Sequence, residues 1–112
     1  MTDEDLEPPI ACTLGAGDLV QRIASIAQLN RQALLGSRLH GLRLELWYAL
    51  QARDQVMEVV RAEQACCAFL TFALREDAEA VRVTIQAPER ARAAAAAIFA
   101  GFRSGLAGRG CC

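Results

Sequence analysis

The feature that most constrains the fold is a strict alternation of apolar and polar residues in two short segments. Residues 80–86 alternate branched aliphatic residues with polar ones, and residues 42–47 alternate leucines with larger or charged residues. The apolar members are Val81, Val83, Ile85, Leu42, Leu44 and Leu46. A period of two is typical of strands that bury one face. The sequence therefore predicts a sheet with one apolar and one polar side.

Other segments place helices and further strands around these two. Asp18 is a suitable N-cap, Gly36 a suitable stop, and Pro88 suits the first position of a helix. Helices are predicted over 18–35, from Arg53-Asp54 to about 66, and from Pro88-Glu89 to 102; strands are predicted over 10–14, 42–50, 68–74 and 80–86. The turn at Glu76-Asp77 makes the last two strands a hairpin. The order β-α-β-α-β-β-α predicts an α/β (α+β) sandwich, a small sheet with helices packed on one face.

The chain of 112 residues has room for one domain. Residues 1–9 are charged and end in Pro8-Pro9, so they are predicted to form a flexible acidic arm. Residues 10–102 form the single α/β domain. Residues 103–112 are glycine-rich and are predicted to be a flexible tail ending in Cys111-Cys112.

Charge and hydropathy indicate which partners to expect. The net charge is −1 and the twelve basic residues, all arginines, are scattered along the chain, which predicts no nucleic-acid partner and no membrane partner. No apolar run reaches the roughly 20 residues that a membrane helix needs, and the acidic start has no apolar signal region. We therefore expect a cytoplasmic protein, in which thiols stay reduced. The alanine-rich third helix is compatible with a homodimer.

Five cysteines carry the chemical information: Cys12, Cys66, Cys67, Cys111 and Cys112. Their number is odd and four of them form two adjacent pairs. A disulfide between neighbours closes a strained ring, so a framework of structural disulfides fits poorly. Three uses remain open, namely ligation of a soft metal, thiol redox chemistry, and burial as small apolar side chains.

The segment Glu63-Gln64-Ala65-Cys66-Cys67 is the strongest candidate site. Glu63 precedes the two cysteines by three and four residues, a spacing that puts all three on one helical face. That face also carries Val56 and Val59, so it should point to the core, where a lone carboxylate is costly. Adjacent cysteines converge on one ion only where the backbone bends. The predicted end of the helix supplies a bend, and we expect both sulfurs to be accessible there. Cys12 is a candidate third sulfur.

The pair Cys111-Cys112 suits capture and transfer of an ion, since it follows a glycine-rich segment. Thiolates select soft cations, so Hg(II), As(III), Cu(I) and Zn(II) are the candidates. His40 precedes Gly41 in a predicted turn and is expected at the surface. The sequence has no CxxC motif, and it therefore gives no support for a zinc ribbon or a thioredoxin-type site.

At these residues the chain resembles a family of small bacterial domains with an N-terminal Cys-Thr-Leu and a later Glu-x-x-Cys-Cys-x-Phe-Leu-x-Phe. The matching segments are Cys12-Thr13-Leu14 and 63–72, and the stretch 81–88 also fits. The resemblance covers roughly residues 11–100 and implies a role in heavy-metal resistance, to mercury and arsenic especially. Separately, Gly110-Cys111-Cys112 is similar to the vicinal-cysteine tail of mercuric reductases, although the flavin and nicotinamide motifs of those enzymes are missing.

The leading hypothesis is a cytoplasmic binding and transfer protein for a soft heavy metal, with Hg(II) first. Cys66 and Cys67 form the site, and Cys12 adds a third sulfur. Glu63 holds or tunes the site as a neighbouring carboxylate. The terminal pair Cys111-Cys112 exchanges the ion with a metal-transfer partner protein. One alternative is a thiol-dependent enzyme, either a redox protein or an organometal lyase with a cysteine nucleophile. Another is a regulatory or interaction domain whose cysteines only pack.

Overall fold

The structure is a computed structural model that describes the backbone of residues 16–104 and the side chains of residue 21 and residues 24–103. The predicted arm 1–9, the predicted strand 10–14 and residues 105–112 lie outside the described residues. The elements are α1 (Ala16–Ala33), β1 (Leu34–His40), β2 (Arg43–Tyr48), α2 (Arg53–Cys66), β3 (Thr71–Glu76), β4 (Val81–Gln86) and α3 (Arg92–Ser104). Short 3-10 turns, Leu50–Ala52 and Glu89–Ala91, lead into α2 and α3.

The four strands form one antiparallel sheet in the order β1-β2-β4-β3. Two hairpins, β1-β2 and β3-β4, are joined through the central pair β2-β4, in which Leu44 lies opposite Ile85 and Leu46 opposite Val83. Gly41 in the first hairpin turn has a φ of +55°, a left-handed conformation that glycine adopts without a steric penalty. The observed sheet thus matches the predicted pattern of alternation.

The core lies between the sheet and all three helices. The inward residues of β2 and β4 are at most 4% exposed, and they share one apolar cluster with residues of each helix. The helix residues buried in that cluster include Leu29 of α1, Val56 of α2, and Phe99 and Phe102 of α3. Since burial of such side chains contributes about 1.5–3 kcal/mol each, this face holds the sheet and helices together. The opposite face of the sheet has no helix packed on it within the described part of the chain.

Asn30 fastens α1 to both the sheet and α3. Its side-chain amide donates a hydrogen bond to the backbone carbonyl of Phe102 at 2.8 Å, and its Oδ1 accepts one from the Tyr48 hydroxyl at 2.9 Å. Burial raises the pKa of Tyr48 well above its ordinary value, so the phenol remains a protonated donor. Three elements are therefore linked by a single side chain that also satisfies a carbonyl near the end of α3.

The α+β class and the packing of helices on one face are confirmed. The prediction erred over residues 34–40, which it divided between the end of helix one and a turn. These residues form β1, and the described order is therefore α-β-β-α-β-β-α. The hydrogen bond from Ala49 N to Ala33 O, at 2.9 Å, joins the end of α1 to the end of β2 at this point. Pairing with β2 therefore prevails over the helix that was predicted to continue to residue 35.

The predicted start of one strand is also corrected. β3 begins at Thr71, not Ala68, because residues 67–70 form a turn closed by a hydrogen bond from Leu70 N to Cys67 O. In α3 the buried stripe runs through Ala95, Ile98 and Phe102, whereas Ala94 is exposed. α3 continues to Ser104, and the rest of the predicted tail lies outside the described residues.

In the part of the chain that the structure describes, no helix is long and apolar enough to cross a membrane.

The contact between Gly36 and Trp47 generates a test of the sheet. A Cβ atom on Gly36 would lie 2.8 Å from Nε1 of Trp47, closer than Cβ atoms come to other side-chain atoms in proteins. We expect Gly36→Ala to lower the free energy of unfolding by about 1 kcal/mol, the lower end of overpacking costs. In a Trp47→Ala background the same change should raise it by about 0.5 kcal/mol, since alanine suits a strand better than glycine. Urea unfolding of the four variants measures both values, and an equal effect in both backgrounds contradicts the packing model.

Candidate functional site

The candidate site lies at the C-terminal end of α2. Cys66 is the last helical residue, and Cys67 leaves the helix with φ −114° and ψ 68°. The amide of Cys67 still donates to the carbonyl of Glu63, at 2.7 Å. The predicted bend at the cysteine pair is therefore confirmed, and it places Glu63 one turn before the two sulfurs.

All three side chains of this site are buried. Glu63 is 1% exposed, Cys66 6% and Cys67 0%. The expectation that the bend keeps the cysteine pair accessible is wrong. The reason is packing, because the turn that follows carries Phe69 and Leu70, both buried in the same core cluster, and folds over the end of α2.

Glu63 is the one charged residue among the buried residues of the described chain. Its Oε1 lies 3.9 Å from Sγ of Cys67. A protonated sulfur at that distance is a weak hydrogen-bond donor to the carboxylate, whereas a disulfide sulfur has no proton to donate. The carboxyl group is thus placed to exchange a proton with Cys67 once the sulfur is reduced.

Both sulfurs are in disulfide linkage in the structure. This differs from the prediction of reduced thiols without structural disulfides. A disulfide must be opened by a reductant before either sulfur binds a metal ion, since the metal ligand is the thiolate. The oxidation state of the pair therefore controls what chemistry the site performs.

A groove between α1 and α2 leads to Glu63. It has a volume of about 300 Å³, and Ser25, Gln55 and Glu58 line it together with Glu63. Glu63 also borders a cavity of about 20 Å³ inside the apolar core. The Glu63 side chain consequently lines both the groove and the interior cavity.

Gln64 holds the turn that carries the cysteines. Its Nε2 donates to the carbonyl of Leu70 at 2.7 Å, and its Oε1 accepts from the amide of Phe72 at 3.1 Å. The carbonyl belongs to the turn 67–70 and the amide to β3, so one side chain joins α2 to the turn and to the strand that follows it. No sequence pattern indicates this role, because a glutamine on a helix is typical of a solvated surface.

The other predicted site residues are not at this place or are not described. Cys12, Cys111 and Cys112 lie outside the described residues. His40 is exposed at the β1-β2 turn, as expected, with Nε2 3.9 Å from Oε1 of Glu45. Among the described residues, no three histidine, cysteine or acidic side chains are grouped as metal ligands would be. Within that part of the chain, the candidate site is therefore the adjacent sulfur pair, with the Glu63 carboxylate beside Cys67.

No family model matches the sequence, and no curated protein or solved structure is significantly similar to it. The chemistry of the site is therefore argued from its own residues.

The role of Gln64 predicts a stability effect at the site. Gln64→Ala removes one donor and one acceptor and leaves two partly buried backbone groups unsatisfied, one in the turn 67–70 and one in β3. The free energy of unfolding should therefore fall by about 2 kcal/mol. Urea denaturation measures this change. Arg61→Ala, at an exposed position of the same helix, is the matched control and should change stability by less than about 0.5 kcal/mol. An equal effect of both substitutions would refute the bridging role.

Proposed function

We propose that the chain binds a soft heavy-metal ion through the reduced sulfurs of Cys66 and Cys67. Hg(II) is the preferred ion, with As(III), Cu(I) and Zn(II) as alternatives. The observation that carries the proposal is the placement of two adjacent sulfurs and a buried carboxylate at one bend of the chain. Thiolates are the ligands that soft cations select.

Binding requires reduction and then deprotonation. An external dithiol supplies two electrons and two protons for each disulfide and is itself oxidised to a disulfide. Hg(II) then replaces one proton on each thiol, so two protons leave as two Hg–S bonds form. Glu63, with Oε1 3.9 Å from Sγ of Cys67, accepts the Cys67 proton and passes it to the groove between α1 and α2.

Burial makes this a site for retention. Exchange of a two-coordinate mercury ion between proteins proceeds by attack of a further thiolate, and sulfurs that are 0% and 6% exposed are shielded from such attack. Entry and release then require local opening of the turn that follows Cys67, which Gln64 closes. Local opening, rather than the strength of the metal–sulfur bonds, sets the rate of exchange.

The remaining cysteines extend the proposal. Cys111 and Cys112 capture the ion and hand it to the buried pair or to a metal-transfer partner protein, and Cys12 serves as a third sulfur for ions such as As(III). The resemblance of segments 12–14 and 63–72 to heavy-metal resistance domains supports the same role. We also propose that the protein acts in the cytoplasm, where dithiol reductants keep the pair reduced.

Mercury stoichiometry tests the proposal. Protein reduced with a phosphine, which is then removed, is titrated with Hg(II) while the ultraviolet thiolate-to-metal charge-transfer band is recorded. We expect Cys66→Ser with Cys67→Ser to lose one equivalent of tightly bound mercury, because two thiolates hold one ion. The matched control, Cys111→Ser with Cys112→Ser, should keep that equivalent and load more slowly.

Unchanged affinity in the Cys66/Cys67 double variant removes the core site. Circular dichroism of each variant checks folding. Mass-spectrometric mapping of wild-type protein, alkylated after mercury loading, provides an independent measurement. Protection of Cys66 and Cys67 by mercury supports the site, whereas protection confined to the other cysteines contradicts it.

The disulfide linkage of both sulfurs favours a second candidate, a thiol–disulfide exchange protein. In that reaction a thiolate attacks a substrate disulfide, forms a mixed disulfide and releases a substrate thiolate. A second protein thiolate then displaces the remaining substrate thiolate, so the protein becomes oxidised and the substrate reduced. Glu63 again serves as the proton acceptor near Cys67.

Reactivity with a small aromatic disulfide distinguishes the two functions. For a buried metal site, reduced Cys66 and Cys67 should react roughly a hundredfold more slowly than a cysteine introduced at exposed Ala68, because reaction waits for local opening. For an exchange protein, at least one of the two cysteines should react faster than the control cysteine. A fast reaction at Cys66 or Cys67 therefore favours exchange over metal retention.

A further inference from the structure

The face of the sheet turned away from the helices gathers one arginine from each strand. Across β1, β2, β4 and β3, the side chains of Arg38, Arg43, Arg82 and Arg75 are exposed, and the pairing register puts them on the same side. We call this surface the arginine face. It forms an open depression of about 810 Å³, lined by these arginines together with Glu45, Trp47 and Thr84.

Three of the four guanidinium groups have no carboxylate within ion-pair distance among the described residues, namely those of Arg38, Arg43 and Arg75. Arg82 alone is paired, since its Nε donates to Oδ2 of Asp77 at 2.7 Å and holds the pKa of that carboxyl at about 2. Glu45 is the one carboxylate that lines the depression. The arginine face is therefore positively charged on a protein whose net charge is −1.

The register makes this charge costly. Arg75 lies directly opposite Arg82 in the β3-β4 pair, and like charges at opposed positions of an antiparallel pair destabilise it. An anion bound between the two strands would relieve that repulsion. The arrangement thus points to a ligand with several negative charges.

Trp47 adds a flat aromatic surface in the middle of these charges. Its indole packs against the backbone of Gly36 on the neighbouring strand, where a Cβ would lie only 2.8 Å away. The guanidinium carbon of Arg82 is 5.8 Å from the ring centroid. The indole is half-buried on the uncovered face of the sheet, and an aromatic ring at such a surface is a stacking partner for a planar ring.

We infer that the arginine face binds single-stranded nucleic acid, with phosphates on Arg38, Arg43 and Arg75 and a base stacked on Trp47. Neighbouring strands are about 4.8 Å apart, so the four arginines spread over about 14 Å, a span that a few nucleotides cover. Positive grooves with stacking aromatics are the general means of binding single strands. A duplex keeps its bases stacked on one another and offers none to Trp47.

Charge decides against the other occupants. A second copy related by two-fold symmetry would bring the same arginines against each other. An acidic peptide satisfies the guanidinium groups, but its carboxylates offer no ring to stack on Trp47. The net charge near zero predicts no nucleic-acid partner. The inference rests instead on local charge, and it is independent of the cysteine site.

Anisotropy of a labelled short oligothymidylate, titrated with the full-length protein at low salt, tests this inference. Arg38→Gln combined with Arg75→Gln should weaken binding about tenfold or more and reduce the salt slope by about 0.7 for each arginine removed. The matched control, Arg31→Gln with Arg61→Gln, changes two exposed arginines on the helices and should bind like the wild type. Trp47 is the single tryptophan, so wild-type fluorescence should be quenched on binding.

Four binding results overturn the inference. They are the absence of binding at low salt, an equal loss in the helix control, equal affinity for a duplex of the same length, and equal affinity for an oligoglutamate. Circular dichroism verifies that the variants fold. If a variant does not fold, the fluorescence of the wild-type protein still tests the inference. Trp47 fluorescence that is not quenched on binding contradicts stacking.

Discussion

The pairing of β2 with β4 is the constraint on which the rest of the structure depends. It joins two hairpins that come from separate halves of the described chain, and it sets which side chains point inwards. With Leu44 opposite Ile85 and Leu46 opposite Val83, the apolar residues of both strands meet the helices. A shift of one residue would turn them to the solvent and bury the arginines, at a prohibitive cost in charge desolvation. The core and the arginine face are thus two sides of one register.

Much of the fold follows from local patterns in the sequence. The alternation through Val81, Val83 and Ile85 predicts β4 and its buried face, and the start of α2 at Arg53 is also confirmed. β1 was missed for a physical reason. It is an edge strand with mostly exposed side chains, so it lacks a clear alternation, and its pairing with β2 is a tertiary effect.

The position of the site along the chain could be predicted from the sequence, whereas the burial and the linkage of its sulfurs could not. The spacing of Glu63, Cys66 and Cys67 places them together at the helix end, whereas their burial depends on Phe69 and Leu70 folding back over them. The sulfur linkage likewise depends on distances that no local pattern contains. The arginines looked scattered because they are spread over four strands, and only the strand order 1-2-4-3 assembles them.

The Asn30 amide sets the extent of the unit that folds on its own. It needs the carbonyl of Phe102 on one side and the Tyr48 hydroxyl on the other. In a fragment that ends before that carbonyl, the Asn30 amide would lack its acceptor and could turn away from the sheet. Any excised version of this domain must therefore retain the last turn of α3, although that turn lies far from the cysteines in the sequence.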